Sequence, residues 1–251
     1  MKKNQGIRSA VIVAGLVLLA VSAGTAGEPV DHSAYGTLLE KYVHNGRVDY
    51  GGFKSDERRL DDYLVRMSEV DPALLDRAGQ MAFYINAYNA WTIKLILNGY
   101  PGVKSIKDLG SLFQSPWKKK FVKLNGETVS LDHIEHDILR PRFKDPRVHF
   151  AVNCASVSCP PLLAEPYTGE KLNRQLDAVA SNFINDGQSN FIDGDSLHAS
   201  RIFKWFSTDF SDDIPGYIRS YARGDLAVQL EKLGESVKVK YLDYDWSLNG
   251  K

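Results

Sequence analysis

Apolar positions recur with helical spacing along most of this chain. In residues 33–44, Leu38, Leu39, Tyr42 and Val43 share one face, which predicts a first helix. Residues 60–70 predict a second. Asp71-Pro72 then marks a new start, because an aspartate side chain accepts from free amides at a helix N-terminus and proline fits the first turn. From there to Leu97 the stretch "AGQMAFYINAYNAWTIKLIL" is apolar nearly all round, so it predicts a buried central helix with Phe83, Ile85, Trp91, Ile93 and Leu97 in the core. Gly99 and Pro101 end it. Between the first two helices, "YGGFKSDERR" (residues 50–59) predicts a surface loop.

A different period appears further on. "FVKLNGETVSL" places Asn125-Gly126 between alternating flanks, a hairpin signal. Ser130 caps a short helix, "LDHIEHDILR", stopped by Pro141. "RVHFAVN" alternates with period two, which predicts a strand with Val148, Phe150 and Val152 on one face and His149, Ala151 and Asn153 on the other. Thr168 caps an amphipathic helix to about Ile184 with Leu172, Leu176, Val179 and Phe183 inward. "NFIDGDSLHASRIF" predicts a second hairpin about Gly194-Asp195. Helices near residues 215–222 and 225–233 precede a last strand at residues 237–241. This mixture predicts an α+β fold: a helix-rich single domain with a buried central helix and a small, mainly antiparallel sheet.

The N-terminus changes the picture. Lys2, Lys3 and Arg8 form a basic region, Ala10 to Val21 is apolar, and small residues follow to Gly27. This pattern predicts a signal peptide over residues 1–26, a mature domain over 27–251, and a periplasmic or secreted location. The apolar run is short for a bilayer span, which needs roughly 20 residues. The full chain is formally neutral; removing residues 1–26 takes away those three cations and leaves the remainder about three charges negative. No basic footprint for nucleic acid results. The "WKKKFVK" cluster predicts a solvated strand edge, where lysines discourage aggregation. No membrane span is expected after cleavage.

Candidate chemistry concentrates in "HFAVNCASVSCPPL" (residues 149–162), which holds both cysteines of the chain. In an oxidising compartment Cys154 and Cys159 form a disulfide on one reading. On the other, one is a nucleophilic thiol with His149 as base and Asn153 as orienter. "DHIEHDILR" adds His133 and His136, three apart on one helix face, and Glu135. Glu135, His136 and His149 would make a metal set, although the spacing lacks the His-Glu-x-x-His pattern; the alternative for Glu135 is an ion pair with Arg140 or Arg142. Asn86 and Asn89 on the central helix either brace a loop backbone or point into a polar pocket.

The segments "FYINAYNAWTIKLIL", "SLDHIEHDILR", "DPRVHFAVNCASVSCPPL" and "IFKWFSTDF", in this order, closely resemble the family catalogued as domain-of-unknown-function family 547, over about residues 78–210. By position, the family pattern falls on Asn86, Tyr88, Asn89, Glu135, His136, Arg140, His149, Asn153, Cys154, Cys159, Pro160, Trp205, Asp209 and Phe210. His133 and His198 lie outside it. The resemblance implies a domain found in exported bacterial proteins and in larger eukaryotic chains; it implies no reaction and no cofactor.

Polar residues at so many pattern positions are costly to bury for stability alone. We therefore expect one pocket: His149, Cys154, Cys159, His136, Glu135 and Asn153 as candidate catalytic groups, with Asn86, Asn89 and Arg140 as candidate ligand-binding groups. Two function classes follow. One is a thiol- or histidine-assisted hydrolase or transferase. The other is an envelope module that binds a small molecule or peptide without catalysis and carries a structural disulfide. A metal-dependent enzyme using His136, Glu135 and His149 is a third reading.

Overall fold

The computed structural model describes residues 30–111 and 113–251. The expected signal peptide lies outside the described residues.

The helix Arg77–Leu97 runs through the middle of one continuous apolar core. Phe83, Ile85, Ile93 and Leu97 are fully buried, and helices Ser33–Tyr42 and Glu57–Glu69 cover neighbouring faces. Trp91 departs from expectation. It is only half-buried and lies against Phe121 at the rim. The start is also more divided than Asp71-Pro72 indicates. Asp71 caps a single turn, Pro72–Leu74, and a second aspartate, Asp76, caps the long helix by accepting from the Gly79 amide.

Among the described residues, three small sheets flank the helices. Val43–His44 pairs with Arg47–Val48, and Val122–Leu124 with Glu127–Val129. Asn125 and Gly126 both take positive φ in the second hairpin, as a two-residue turn matching the strand twist requires. Asn190–Asp193 pairs antiparallel with Ser196–Ala199, which pairs parallel with Lys238–Tyr241. The α+β class holds; the last pairing alone departs from the antiparallel expectation.

Four local expectations need correction. Residues 50–59 are not a loop: Tyr50–Ser55 is helical and buries Tyr50 and Phe53. Its glycines mark close approach rather than looseness, since a Cβ on Gly52 would collide with the Tyr42 ring. The alternating "RVHFAVN" is not a strand. Val148–Ala151 forms one helical turn, buried on every side, so alternation there distinguishes no two faces. Pro141 does not stop its helix: His133–Phe143 continues through it as a wide π-type helix. In that coil each amide reaches back five residues, so the ring escapes the clash that an α-helix imposes at the fourth residue back. Helix Leu172–Ile184 starts about one turn after Thr168, whose hydroxyl receives the Lys171 amide at the leading turn.

The last ten residues follow no period and are fixed by named bonds. Val157 and Ser158 donate backbone amides to Ser247 and Asp245, and Asn249 donates to Ala155. At the other side Tyr50 donates its hydroxyl to Asn249 Oδ1 at 2.7 Å. This segment therefore ties the cysteine-bearing loop to the N-terminal helices. No described helix is long and apolar enough to cross a membrane.

Candidate functional site

The cysteine-bearing loop owes its shape to three asparagines. Asn86 clamps the backbone of Tyr167, donating to its carbonyl at 2.7 Å and accepting its amide at 2.9 Å. Asn89 does the same across Ala151 and Asn153. Asn153 donates to the Pro160 carbonyl at 2.8 Å, and its oxygen accepts from the Ala155 amide and from Asn249. All three are buried with their amides engaged, and none lines a cavity beside the cysteines. They build the site rather than face a ligand. Asn153 also holds Ala155 at φ 62°, a left-handed conformation that a residue with a Cβ resists.

Next to this loop opens a cleft of about 240 Å³. Cys154, Cys159, His149, Glu135 and His136 all border it, so five of the expected groups share one space. Six aromatic residues, Tyr88, Trp117, Trp205, Phe206, Tyr244 and Trp246, make up much of the remaining wall. Tyr244 and Trp246 come from the C-terminal segment, with ring centroids 4.4 Å apart. The expected signals contained no hint of them, because "YLDYDWSLNG" has no periodicity and lies outside the family-like region.

Both cysteines are free thiols. Cys154 is half-buried; Cys159 lies behind it, buried. The Cys154 sulfur is surrounded by donors. Ser156 Oγ lies at 3.4 Å and the Tyr244 hydroxyl at 3.1 Å, and the Cys159 thiol is near enough to turn toward it. Hydrogen bonds to a thiolate favour the charged form, and together they outweigh burial, so the Cys154 thiol is lowered to about 7, with Cys159 the largest contributor. Burial and the neighbouring Cys154 push Cys159 the other way. The Cys154 backbone amide donates to Cys159 Sγ at 2.9 Å. Burial and the two sulfurs keep the Tyr244 hydroxyl protonated and therefore a donor.

The histidines occupy the facing wall. His149, whose side chain is 1% exposed, donates from Nε2 to Asp209 Oδ2 at 2.7 Å. That carboxylate orients the ring, and Nδ1 is buried and without a partner. The ring stacks on Phe206 with centroids 4.0 Å apart. Arg140 completes the cluster. Its guanidinium grips Asp209 at 2.6 and 3.1 Å and donates to His136 Nδ1 at 3.0 Å. His149 and then Arg140 hold the Asp209 carboxyl well below the usual carboxylate range. Asp209 is thus the hub of this wall. It was named in the family pattern but not among the candidate site groups, since nothing in its sequence neighbourhood relates it to a histidine sixty residues away.

Glu135 is buried against Tyr88, whose hydroxyl proton is held more tightly by burial first and by the Glu135 charge second. It does not pair with Arg140 at the surface. His133 instead pairs with Asp137 at 2.8 Å on the helix exterior. His198 stacks on Phe191 in the three-stranded sheet, away from the cleft lining. Among the described residues no group of three or more His, Cys, Asp or Glu side chains is arranged to hold a metal ion. His136 presents Nδ1 to a guanidinium and His149 presents Nε2 to a carboxylate, which engages one nitrogen of each ring.

Residues 72–184 match the family model described as "Protein of unknown function, DUF547". The matched span carries the central helix, the π-type helix and the cysteine loop; Asp209, Tyr244 and Trp246 lie beyond it. Comparison with curated proteins and with solved structures gave no match.

Proposed function

We propose that this protein is an exported thiol-dependent enzyme, a transferase or hydrolase whose nucleophile is Cys154. The observation that carries this reading is the state of one sulfur. Cys154 borders a cleft, three side chains able to donate surround its sulfur, and its thiol is lowered to about 7. A buried structural cysteine has no such surroundings and is inert. The His149–Asp209 pair on the same cleft supports proton handling, because the carboxylate orients the ring and its other nitrogen has no partner. The aromatic wall would seat the substrate by stacking and exclude water from the sulfur.

The test is alkylation of reduced protein by iodoacetamide across pH, with the modified residue identified by peptide mapping. The expected result is preferential labelling of Cys154 with a midpoint near pH 7. Below that pH the thiolate protonates and the rate falls. A midpoint near the ordinary value of about 8.5, or preferential labelling of Cys159, would sink the reading.

A second reading keeps the cleft and drops the chemistry. Trp117, Trp205, Tyr244 and Trp246 would bind an apolar or aromatic small molecule or peptide. An ordinary Cys154 midpoint would favour it.

The exported location rests on the basic, apolar and small-residue sequence at residues 1–27. Intact-mass analysis of protein from its native host should give a chain beginning near Gly27; a chain retained in the membrane from Met1 would overturn this.

A further inference from the structure

We propose that Cys154 and Cys159 are a dithiol pair that exchanges with an external disulfide, Cys154 attacking and Cys159 resolving. The inference rests on the reading of Cys154 as a nucleophile and names its substrate class: a disulfide carrying an apolar or aromatic flank.

Three features of the loop select this reaction. First, the group placed beside the Cys154 sulfur is another thiol, with a hydroxyl on either hand and no imidazole bonded to it. Attack on a disulfide requires no proton donor at the sulfur, because the departing group is itself a stable thiolate. Second, the two sulfurs differ in access. Both border the cleft, but Cys154 is half-buried and Cys159 is buried, so Cys154 is the sulfur more open to an incoming substrate. Third, the resolving sulfur is provided for. The Cys159 thiol faces the Val152 carbonyl at 3.8 Å, and the Cys154 amide points at the same sulfur at 2.9 Å. That amide stabilises the charge that develops when Cys159 gives up its proton.

The steps balance. The Cys154 thiolate attacks one sulfur of the substrate R–S–S–R; the S–S bond breaks and R–S⁻ leaves with the electron pair. Cys159 gives its proton to that thiolate, and its sulfur attacks Cys154 Sγ. The mixed disulfide breaks and the second R–S⁻ departs. The substrate disulfide is reduced to one thiol and one thiolate, and the two cysteines are oxidised to one disulfide. A small dithiol such as dithiothreitol reverses the change. Trp205 and Trp246, whose ring centroids lie 5.6 Å apart on the cleft wall, account for the apolar flank.

The probe is dithiobis(nitrobenzoate), an aryl disulfide, added in equimolar amount to the reduced full chain. The wild type is expected to release two nitrothiolates per chain and to finish with a Cys154–Cys159 disulfide and no adduct by intact mass. Cys159→Ser should release one and retain a mixed disulfide that peptide mapping places on Cys154. Cys154→Ser should slow the first release by at least about tenfold. A wild-type chain that keeps an adduct on Cys154 while Cys159 stays reduced, or that carries an adduct on each cysteine, overturns the exchange reaction. Rapid alkylation of Cys154 in that same protein would leave the nucleophile reading intact. Failure of both experiments would remove the nucleophile along with the exchange.

Discussion

Asn153→Ala is expected to destabilise the protein by about 3–5 kcal/mol and to remove the special reactivity of Cys154. The side chain is 4% exposed and serves three partners: the Pro160 carbonyl, the Ala155 amide and the Asn249 amide. Truncation leaves each without its bond in a buried place, and an orphaned buried group costs about 1–3 kcal/mol. The three share one loop, so their losses do not simply add. Ala155 would also be released from its left-handed conformation. Relaxation there moves the Cys154 amide and sulfur relative to Cys159, and the C-terminal segment loses its anchor at Asn249. Urea denaturation measures the first effect and the pH profile of alkylation the second. A loss below about 1 kcal/mol would show that the loop holds itself without Asn153.

Cys159→Ala is expected to move the Cys154 alkylation midpoint upward from about 7 toward the ordinary thiol value. The reasoning follows the order of causes. The Cys159 hydrogen bond is the largest influence lowering Cys154, and burial opposes it. Without that donor, Ser156 and Tyr244 must offset burial alone. At neutral pH a thiol of ordinary pKa is only a few per cent ionised, so the rate should fall by about tenfold. Cys159→Ser keeps a donor at the same place and should retain most of the reactivity. Pseudo-first-order alkylation of the two variants decides the matter. Equal profiles for wild type and Cys159→Ala would mean that Tyr244 and Ser156 suffice.

The elements carried by strong local periodicity were legible in the sequence. The hairpins at Asn125-Gly126 and Gly194 stand where their patterns place them, and the central helix around Asn86 and the helix ending at Ile184 differ from theirs only at the start. Each depends on interactions a few residues apart: an apolar face every third or fourth position, a cap, a turn needing positive φ. The misreadings share a different cause. "RVHFAVN" is surrounded by core on all sides, so an alternation that separates core from solvent elsewhere separates nothing there. The glycines of "YGGFKSDERR" signal freedom locally, whereas Gly52 in the fold lets the Tyr42 ring lie close.

The site divides in the same way. The residues of "HFAVNCASVSCPPL" and "DHIEHDILR" that could carry chemistry were visible by type, and Glu135, His136, His149, Cys154 and Cys159 do border one cleft. Their partners were not visible. Asp209 reaches His149 and Arg140 only because the turn Ser207–Phe210 packs against the helix His133–Phe143 and the turn Val148–Ala151. Tyr244 reaches Cys154 only because the C-terminal segment is threaded past the loop by backbone bonds that carry no side-chain signature. The sequence by itself determined which groups were available and which segments are helical, since those depend on side-chain chemistry and short-range geometry. Tertiary structure alone decided that the asparagines brace backbone, that a carboxylate orders His149, and that Cys154 is lowered while Cys159 is raised, because hydrogen-bond partners and burial are set by chain segments brought together from far apart.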